Sequence, residues 1–275
     1  MNVQVQKQKA EQFRALHHTG KILLLPNVWD YISTRLVAHC NLPAIATASI
    51  ATALANGYPD GEAIPFGRLL EVVRSIVQAA GELPVTVDIE RGFAGSLPEL
   101  QHNIAQLITA GAVGINIEDS DAGHQHLTPV AVQCEKISAI RDVARDMGVP
   151  LFINARTDAF ISANVSDPVE ESIRRADAYA GAGADGVFPI RIDTYEAITA
   201  ITTRTSLPVN VLMIPPVADL KKLEAAGIAR VSFGPRLFSL ALTNMKEAVE
   251  ALLQGESQAF SERTLLPPDA LHQLL

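Results

Sequence analysis

The sequence predicts an α/β fold with a single (β/α)8 barrel of the TIM type. Eight short apolar runs, many rich in β-branched residues, recur along the 275 residues, and eight is the number of parallel strands that closes such a barrel. Stretches with helical periodicity separate the runs, as in Leu69, Val72, Val73 and Ile76. Several runs follow a glycine almost directly, which is typical of a helix C-cap that leads into a strand.

The predicted strands succeed one another in a regular order, with a helix expected after each. Gly111, Gly148, Gly183 and Gly227 stand before the fourth, fifth, sixth and eighth runs, where preceding helices would end. We expect one domain over residues 1–275, with a barrel core at about 20–253 and a C-terminal extension at 254–275. The eight predicted strands are 22–25, 44–49, 85–88, 113–118, 151–154, 186–190, 209–213 and 229–233.

Composition limits the possible function. The net charge of -8 argues against a nucleic-acid partner, which needs a basic surface. No apolar stretch approaches the roughly 20 residues of a membrane span, and the N-terminus has no apolar signal core. We therefore expect no membrane partner and a cytoplasmic location. The two cysteines, Cys40 and Cys134, agree with a reducing compartment rather than a disulfide scaffold.

Acidic residues follow two neighbouring predicted strands. Asp88 and Glu90 come at the end of the third run, and Glu118 ends the fourth. Residues two apart in a strand point to the same side, so Asp88 and Glu90 would project together. A strand-end acid can also cap the next helix or meet solvent, but three acids on adjacent strands favour a Mg2+ site, with Mn2+ as an alternative. Active sites of such barrels lie at these strand ends, so we expect the chemistry over the first half of the barrel.

The fifth run leads into N-A-R-T-D, residues 154–158. Arg156 would lie beside the acids, where it could pair with Asp158 or Glu118, or grip a substrate carboxylate or phosphonate in two contacts. A guanidinium next to a metal suits a small anionic 2-oxo acid, chelated through its carboxylate and carbonyl. No lysine falls at a predicted strand end, which disfavours an aldolase that works through a Schiff base.

Two polar segments could complete the site. Residues 119–127 are polar enough for a mobile lid, and His124 or His126 within them could donate a proton, although exposed loop histidines are common. Residues 57–62 read first as a turn, from which Asp60 could reach the metal through water.

With these residues in view, the chain resembles the isocitrate lyase and phosphoenolpyruvate mutase superfamily over about residues 10–250. Five motifs appear in the superfamily's order, namely P-N-V-W-D at 26–30, G-Y-P-D at 57–60, V-D-I-E at 87–90, I-E-D at 117–119 and N-A-R-T-D at 154–158. Each is weak alone, and together they are specific.

The resemblance implies roles for individual residues. Asp88, Glu90 and Glu118 match the metal-site acids, with Asp60 nearby, and Arg156 matches the arginine that contacts the substrate, with Asn154 beside it. The backbone at Ala48, Ser49 and Ile50 matches the amides that receive a substrate oxyanion. Similar proteins form homodimers or homotetramers, often exchanging a C-terminal helix between barrels, and the pattern near residues 236–253 is compatible with that.

The departures from the superfamily concern the part of the site that faces the leaving group. Glu90 stands where many members have aspartate, the 119–127 loop lacks the cysteine that serves the lyases as general acid, and Ile190 replaces their glutamate. The carboxylate grip on strand seven is replaced by Met213, Ile214 and Pro215. The loop also lacks the lysine and asparagine of phosphonopyruvate enzymes, and Pro189 stands where those enzymes tend to have histidine.

These features predict a Mg2+-dependent enzyme that acts on a small 2-oxo acid or its enolate, with cleavage of a carbon-carbon bond by a lyase, hydrolase or decarboxylase reaction favoured. Two alternatives stay open. The first is a phosphoenolpyruvate phosphonomutase or phosphonopyruvate hydrolase. The second is an inactive barrel that binds a 2-oxo acid or a partner protein as a sensor.

Overall fold

The computed structural model describes residues 2–256, 258, 261 and 265–274. Its strands alternate with helices along the chain, as the sequence predicts. The strands are β1 (Leu23–Leu25), β2 (Asn27–Val28), β3 (Ile45–Thr47), β4 (Val85–Asp88), β5 (Gly114–Glu118), β6 (Phe152–Thr157), β7 (Gly186–Pro189), β8 (Asn210–Leu212) and β9 (Arg230–Ser232). The helices are α1 (Val3–Leu16), α2 (Tyr31–Ala38), α3 (Ser49–Ala55), α4 (Phe66–Ala80), α5 (Leu97–Ala110), α6 (Val130–Asp146), α7 (Pro168–Ala182), α8 (Tyr195–Thr202), α9 (Leu220–Ala225), α10 (Arg236–Leu253) and α11 (Pro268–His272).

All strand pairs are parallel, and they form two hydrogen-bonded sheets. One sheet has the order β2-β3-β4-β5-β6-β7 and the other the order β1-β9-β8. At one junction β1 leads into β2 through Pro26, which has no N–H to continue a ladder. At the other, Val187 of β7 pairs with Val209 just before β8 in a single bridge. The strands therefore follow the order of a barrel, although their hydrogen bonds do not form one continuous ring.

The eight predicted strands are present, and most of their ends lie within one residue of the prediction. A short strand that was not predicted, β2, follows the first run after Pro26. The second strand stops at Thr47, because helix α3 begins at Ser49. The fifth runs on to Thr157 instead of stopping at Asn154. Asn154 and Arg156 consequently lie in one strand, two residues apart and on the same side.

Glycines end helices where the sequence predicts it. Helix α5 ends at Gly111 (φ 106°) and helix α7 at Gly183 (φ 104°), both in the left-handed conformation. This conformation is costly for residues with a Cβ atom, so glycine sets the point at which the chain leaves the helix for the next strand.

Apolar side chains of the strands pack against the surrounding helices. Val87 of β4 and Ile115 of β5 are fully buried with Ile76 of α4 and Ile104 of α5. The final strands form a second cluster, in which Val211 and Val231 are fully buried. No described helix is both long and apolar enough to cross a membrane. The limits of the domain and of its C-terminal extension stay a prediction, and part of residues 254–275 lies outside the described residues.

Candidate active site

A cavity of about 210 Å3 opens at the carboxyl ends of the strands. Its polar lining comes mostly from the first half of the barrel, as expected, and an apolar wall of Phe188, Ile190 and Leu212 comes from the second half. Six of the predicted site residues line it, namely Ala48, Ser49, Ile50, Asp60, Asp88 and Arg156. Residues distant in sequence thus meet around one small space.

Asp88 ends strand β4 at the wall of this cavity. Its backbone N–H donates to Thr47 Oγ1 at 2.9 Å, and its Oδ1 accepts from the backbone N–H of Glu90 at 3.1 Å. Burial raises the pKa of Asp88, while the Arg156 guanidinium lowers it. Asp88 is therefore a carboxylate held in place by the backbone around it, in a setting that disfavours its charge.

Glu90 lies near Asp88, but not because a strand places it there. The strand ends at Asp88, and Glu90 follows in a left-handed turn with φ of 48°. Strand alternation, the predicted reason for the proximity, does not apply. Burial raises the pKa of Glu90 to about 8, and the negative charges of Asp88, Asp60 and Glu118 add to the shift. Several negatively charged groups therefore surround the Glu90 carboxylate.

Glu118 ends strand β5 with only 3% of its surface exposed. Its Oε2 pairs with Arg156 Nη1 at 2.6 Å, while its Oε1 is buried without a hydrogen-bond partner among the described residues. Arg91 Nη1 forms an ion pair with Oε1 at 3.8 Å but likewise makes no hydrogen bond among the described residues. Burial raises the pKa of Glu118 to about 7 against the attraction of Arg156.

Arg156 forms the ion pairs with Glu118 and Asp158 that the sequence analysis gave as one of its two possible roles. It pairs with Glu118, and its Nε donates to Asp158 Oδ1 at 2.7 Å. Arg156 also lines the cavity, so these contacts leave a role in substrate binding open. Its partners hold the guanidinium in one orientation at the cavity edge.

Asn154 does not line the cavity. It is 1% exposed, and its Nδ2 donates to Asn116 Oδ1 at 2.9 Å. Because Asn154 precedes Arg156 by two residues in β6, it lies deeper along the same side of the strand. The proposed direct contact with substrate has no support in this position, and the side chain instead orients Asn116.

The segment predicted to be a lid forms a short turn that carries His124. Ser120 pairs with Leu127 in an antiparallel bridge. His124 Nδ1 lies 2.7 Å from Asp158 Oδ2, and Ser120 Oγ donates to the same oxygen at 2.6 Å. His126 is exposed and bonds only to Asp121 among the described contacts. Of the two loop histidines, His124 is therefore the one that faces the buried acids.

Glu118, His124 and Asp158 form a compact group whose ligand atoms lie within 4.8 Å of one another. Such a group could hold a metal ion, but Asp158 already accepts hydrogen bonds from Ser120, His124 and Arg156. Burial opposes the charge of Asp158, yet the bond from His124 and the nearby Arg156 lower its pKa to about 2. We interpret this group as an ion-pair network, because a metal ion there would have to displace these donors.

Asp119 anchors the base of the same loop, a role that sequence reasoning missed. It is fully buried, and its Oδ2 accepts from Arg175 Nη1 at 2.9 Å and from the Tyr179 hydroxyl at 2.6 Å. Its Oδ1 accepts from the backbone N–H of Asp158 at 2.9 Å. The spacing of Arg175 and Tyr179 by four residues in a predicted helix was the available signal.

Replacing Asp119 with alanine should destabilise the protein by about 2–3 kcal/mol, because Arg175 loses the buried one of its two acidic partners and the Tyr179 hydroxyl loses its acceptor, while Glu171 still pairs with Arg175. Urea denaturation followed by circular dichroism measures the loss. Asp142→Ala removes an exposed acid whose partner, Arg145, is also exposed, and it should cost less than about 1 kcal/mol. Equal losses in the two variants would contradict this account of Asp119.

Comparisons with known proteins agree with this geometry. The sequence model of the phosphoenolpyruvate phosphomutase family matches residues 13–253. An uncharacterized protein of Mycobacterium tuberculosis is 35% identical over 89% of this chain and 90% of its own length. An oxaloacetate decarboxylase of Rhodopseudomonas palustris is 34% identical over 78% of this chain and 73% of its own.

Solved structures share the fold. A Burkholderia cenocepacia protein proposed to be a phosphonomutase superposes with a TM-score of 0.84 at 40% identity, covering 88% of this chain and 99% of that one. Phosphonopyruvate hydrolase, crystallised with oxalate and Mg2+, gives a TM-score of 0.84 at 21% identity, covering 97% and 94%. At that identity the likeness supports the fold alone.

The chain belongs to the phosphoenolpyruvate phosphomutase family, within the isocitrate lyase and phosphoenolpyruvate mutase superfamily. It is a lyase- or phosphonomutase-type enzyme of that superfamily. The predicted family, fold class and enzyme class are confirmed.

Proposed function

We propose that the protein is a Mg2+-dependent enzyme that breaks a carbon-carbon bond next to the carbonyl of a small 2-oxo acid. The observation that carries this proposal is that Asp88 and Arg156 line one cavity, while Glu118 pairs with Arg156 and Glu90 lies within electrostatic range of Asp88 and Glu118, both just outside the lining. Besides burial, the charges of Asp88 and Glu118 raise the pKa of Glu90, and that of Asp88 raises the pKa of Glu118. Acids that repel one another in this way at the end of a barrel are poorly placed for stability, and such groups mark functional sites.

The donor set fits a hard divalent cation. All three side chains offer oxygen, as Mg2+ and Mn2+ prefer, and the buried Glu118 Oε1 has no hydrogen-bond partner among the described residues. Asp88, Glu118 and Glu90 would hold the ion directly or through water, with Asp60 nearby. When bound, the ion would act as a Lewis acid that stabilises the negative charge of an enolate.

Side chains and backbone amides of the protein would bind and orient the substrate. Arg156, fixed by Glu118 and Asp158, would orient the substrate carboxylate. Of the three residues predicted to receive the oxyanion, Ala48 donates its backbone N–H to the Val28 carbonyl at 3.1 Å, so the amides of Ser49 and Ile50, which line the same cavity, would receive it. A cavity of about 210 Å3 suits a substrate of only a few carbons.

Carbon-carbon cleavage is favoured over phosphorus-carbon chemistry by one of the relatives. The far wall does not decide between them, because Phe188, Ile190 and Leu212 are apolar but Arg191 on the same side could hold a leaving phosphonate or carboxylate. The relative from Rhodopseudomonas palustris is named as an oxaloacetate decarboxylase, an enzyme of carbon-carbon cleavage. The family model and the structure from Burkholderia cenocepacia support the phosphonomutase alternative instead.

We further propose His124 as the proton donor, in place of the cysteine of the lyases. With Nδ1 bound to Asp158, its Nε2 is free to serve as an acid. The imidazole is about one-third exposed, but His124 is not among the residues that line the cavity, so its loop would have to bring it closer to the substrate.

The stability that His124 contributes should depend on pH. Its hydrogen bond to Asp158 raises the pKa of His124 above 6.5. Because the pKa is higher in the folded state, this contribution is complete below about pH 6.5 and is lost as the pH rises through the raised value. The difference in unfolding free energy between wild type and His124→Gln, measured by urea denaturation, should therefore shrink from about pH 6 to pH 9.

His126→Gln is the matched control on the same loop. His126 and its partner Asp121 are both exposed, so its substitution should give a smaller difference at every pH. A His124→Gln difference that stays constant across the range would contradict the proposed ion pair.

A screen of 2-oxo and 2-hydroxy dicarboxylates for pyruvate release, with Mg2+ and with EDTA, tests the proposed function. We expect release from at least one compound, and only with the metal. Phosphorus NMR with phosphonopyruvate tests the alternative, since a new phosphorus signal would favour the mutase or hydrolase. If no compound reacts in either assay while oxalate still binds, the inactive 2-oxo-acid-binding barrel is the better description.

We also propose a homodimer or homotetramer in the cytoplasm. Helix α10 exposes a series of apolar side chains, and Ala248 is its only described residue that is buried. The exposed set is Leu240, Leu242, Met245, Val249, Leu252 and Leu253. A face of this kind usually contacts another protein surface, and exchange of the helix between barrels would cover it. Light scattering after size-exclusion chromatography would reject this proposal if the protein were monomeric.

A further inference from the structure

Arg230 is a cation buried in the barrel without an acid beside it. It lies in strand β9, is fully buried, and takes part in no ion pair within 4.0 Å among the described residues. Its Nε and Nη1 are also without hydrogen-bond partners there. Burying an unpaired charge costs several kcal/mol, so packing alone does not account for an arginine at this position.

The one side-chain hydrogen bond described for Arg230 leads towards the active site. Its Nη2 donates to Asn116 Oδ1 at 3.3 Å, and Asn154 Nδ2 donates to the same oxygen at 2.9 Å. Two donors on one atom identify it as the amide oxygen and determine which way the amide faces. The Asn116 amide nitrogen is thereby directed at Asp88, whose Oδ2 lies 3.4 Å away.

This contact completes the support of the Asp88 carboxylate. Its Oδ1 accepts from the backbone N–H of Glu90, and its Oδ2 faces the Asn116 amide. With a donor at each oxygen, the plane of the carboxylate is fixed relative to the cavity. If Arg230 were absent, Asn116 would lose one of the two donors that determine its orientation.

We propose that Arg230 is a positioning residue that acts through Asn116 to orient Asp88 towards a divalent cation. The inference rests on the proposed role of Asp88 as a metal ligand. Residues that hydrogen-bond to metal ligands without contacting the metal typically contribute about 10–100-fold to metal affinity. Arg230 would thus belong to the site although it reaches neither the cavity nor the substrate.

Whether metal affinity rises or falls when Arg230 is removed distinguishes a positioning role from a purely electrostatic one. A buried positive charge near the site repels a dication, so removing it should tighten metal binding if charge alone matters. If Arg230 acts by positioning, its removal should weaken binding. Arg230→Met removes the charge and the donors but keeps an unbranched apolar side chain.

Electron paramagnetic resonance of free Mn2+ gives the dissociation constant without any substrate. We expect Arg230→Met to raise the Mn2+ Kd by about 10–100-fold, while urea denaturation in EDTA shows no loss of stability. Arg141→Met, which removes an arginine that pairs with Asp185, should leave the Kd unchanged. A wild-type or lower Kd in Arg230→Met would overturn the proposal.

Asn116→Leu provides a second route should Arg230→Met fail to fold. It should raise the Mn2+ Kd as well, and Arg230→Met added to it should cause no further rise, because the two residues act in series. An unchanged Kd in Asn116→Leu, or fully additive effects, would also overturn the proposal. Asp88→Ala distinguishes this failure from that of the proposed function, since wild-type Mn2+ binding in Asp88→Ala would reject the metal site itself.

Discussion

Replacing Asp88 with alanine should lower kcat/KM for the substrate found in the screen by about 1,000-fold or more, because losing a Lewis acid removes several kcal/mol of transition-state stabilisation. The variant should release pyruvate at the same low rate with and without Mg2+. Steady-state kinetics over a range of Mg2+ concentrations measures both effects.

The loss in Asp88→Ala should not come from unfolding. Burial already disfavours the charge of Asp88, so its removal should leave the unfolding free energy in EDTA unchanged or higher. Asp142→Ala, at an exposed acid on helix α6, should keep full activity. Normal Mg2+-dependent turnover in Asp88→Ala would show that this carboxylate does not hold the metal.

Replacing Arg156 with methionine should have the largest combined effect on stability and activity. Glu118 and Asp158, whose side chains are 2% and 0% exposed, would lose the cation between them. Breaking such a buried pair costs about 3–5 kcal/mol, because uncompensated charges stay buried. Urea denaturation should show this loss, and kcat/KM of the folded fraction should fall by about 100-fold or more if the guanidinium also grips substrate.

Arg156→Lys separates the two roles of Arg156. Lysine keeps the positive charge between the acids, so most of the stability should return. It cannot make the two-pronged contact with a carboxylate, so KM should stay about 10-fold or more above the wild-type value. Recovery of both stability and KM in Arg156→Lys would assign Arg156 a structural role alone.

Features encoded locally were predicted well from the sequence. Runs such as that before Asp88 combine apolar and β-branched residues, and Gly111 and Gly183 end their helices in the left-handed conformation that glycine favours. Strand existence and order follow from such local signals. The strand ends were predicted less accurately, since the second strand stops at Thr47 before helix α3 and the fifth runs on to Thr157.

Contacts between distant strands could not be predicted in the same way. Arg230 and Asn116 are 114 positions apart. Their contact depends on how strands β9 and β5, which belong to different sheets, face each other across the barrel. The anchoring of Asp119 by Arg175 across 56 positions is a similar case. Glu90 lies close to Asp88 through a left-handed turn that the strand pattern does not encode.

The most direct test of the central claim is isothermal titration of the wild-type protein with oxalate, which resembles the enolate of pyruvate. If Asp88, Glu90 and Glu118 hold a metal that chelates a 2-oxo acid beside Arg156, oxalate should bind tightly with Mg2+ and at least about 100-fold more weakly in EDTA. Equal affinity in the two conditions would contradict a metal-dependent 2-oxo-acid site.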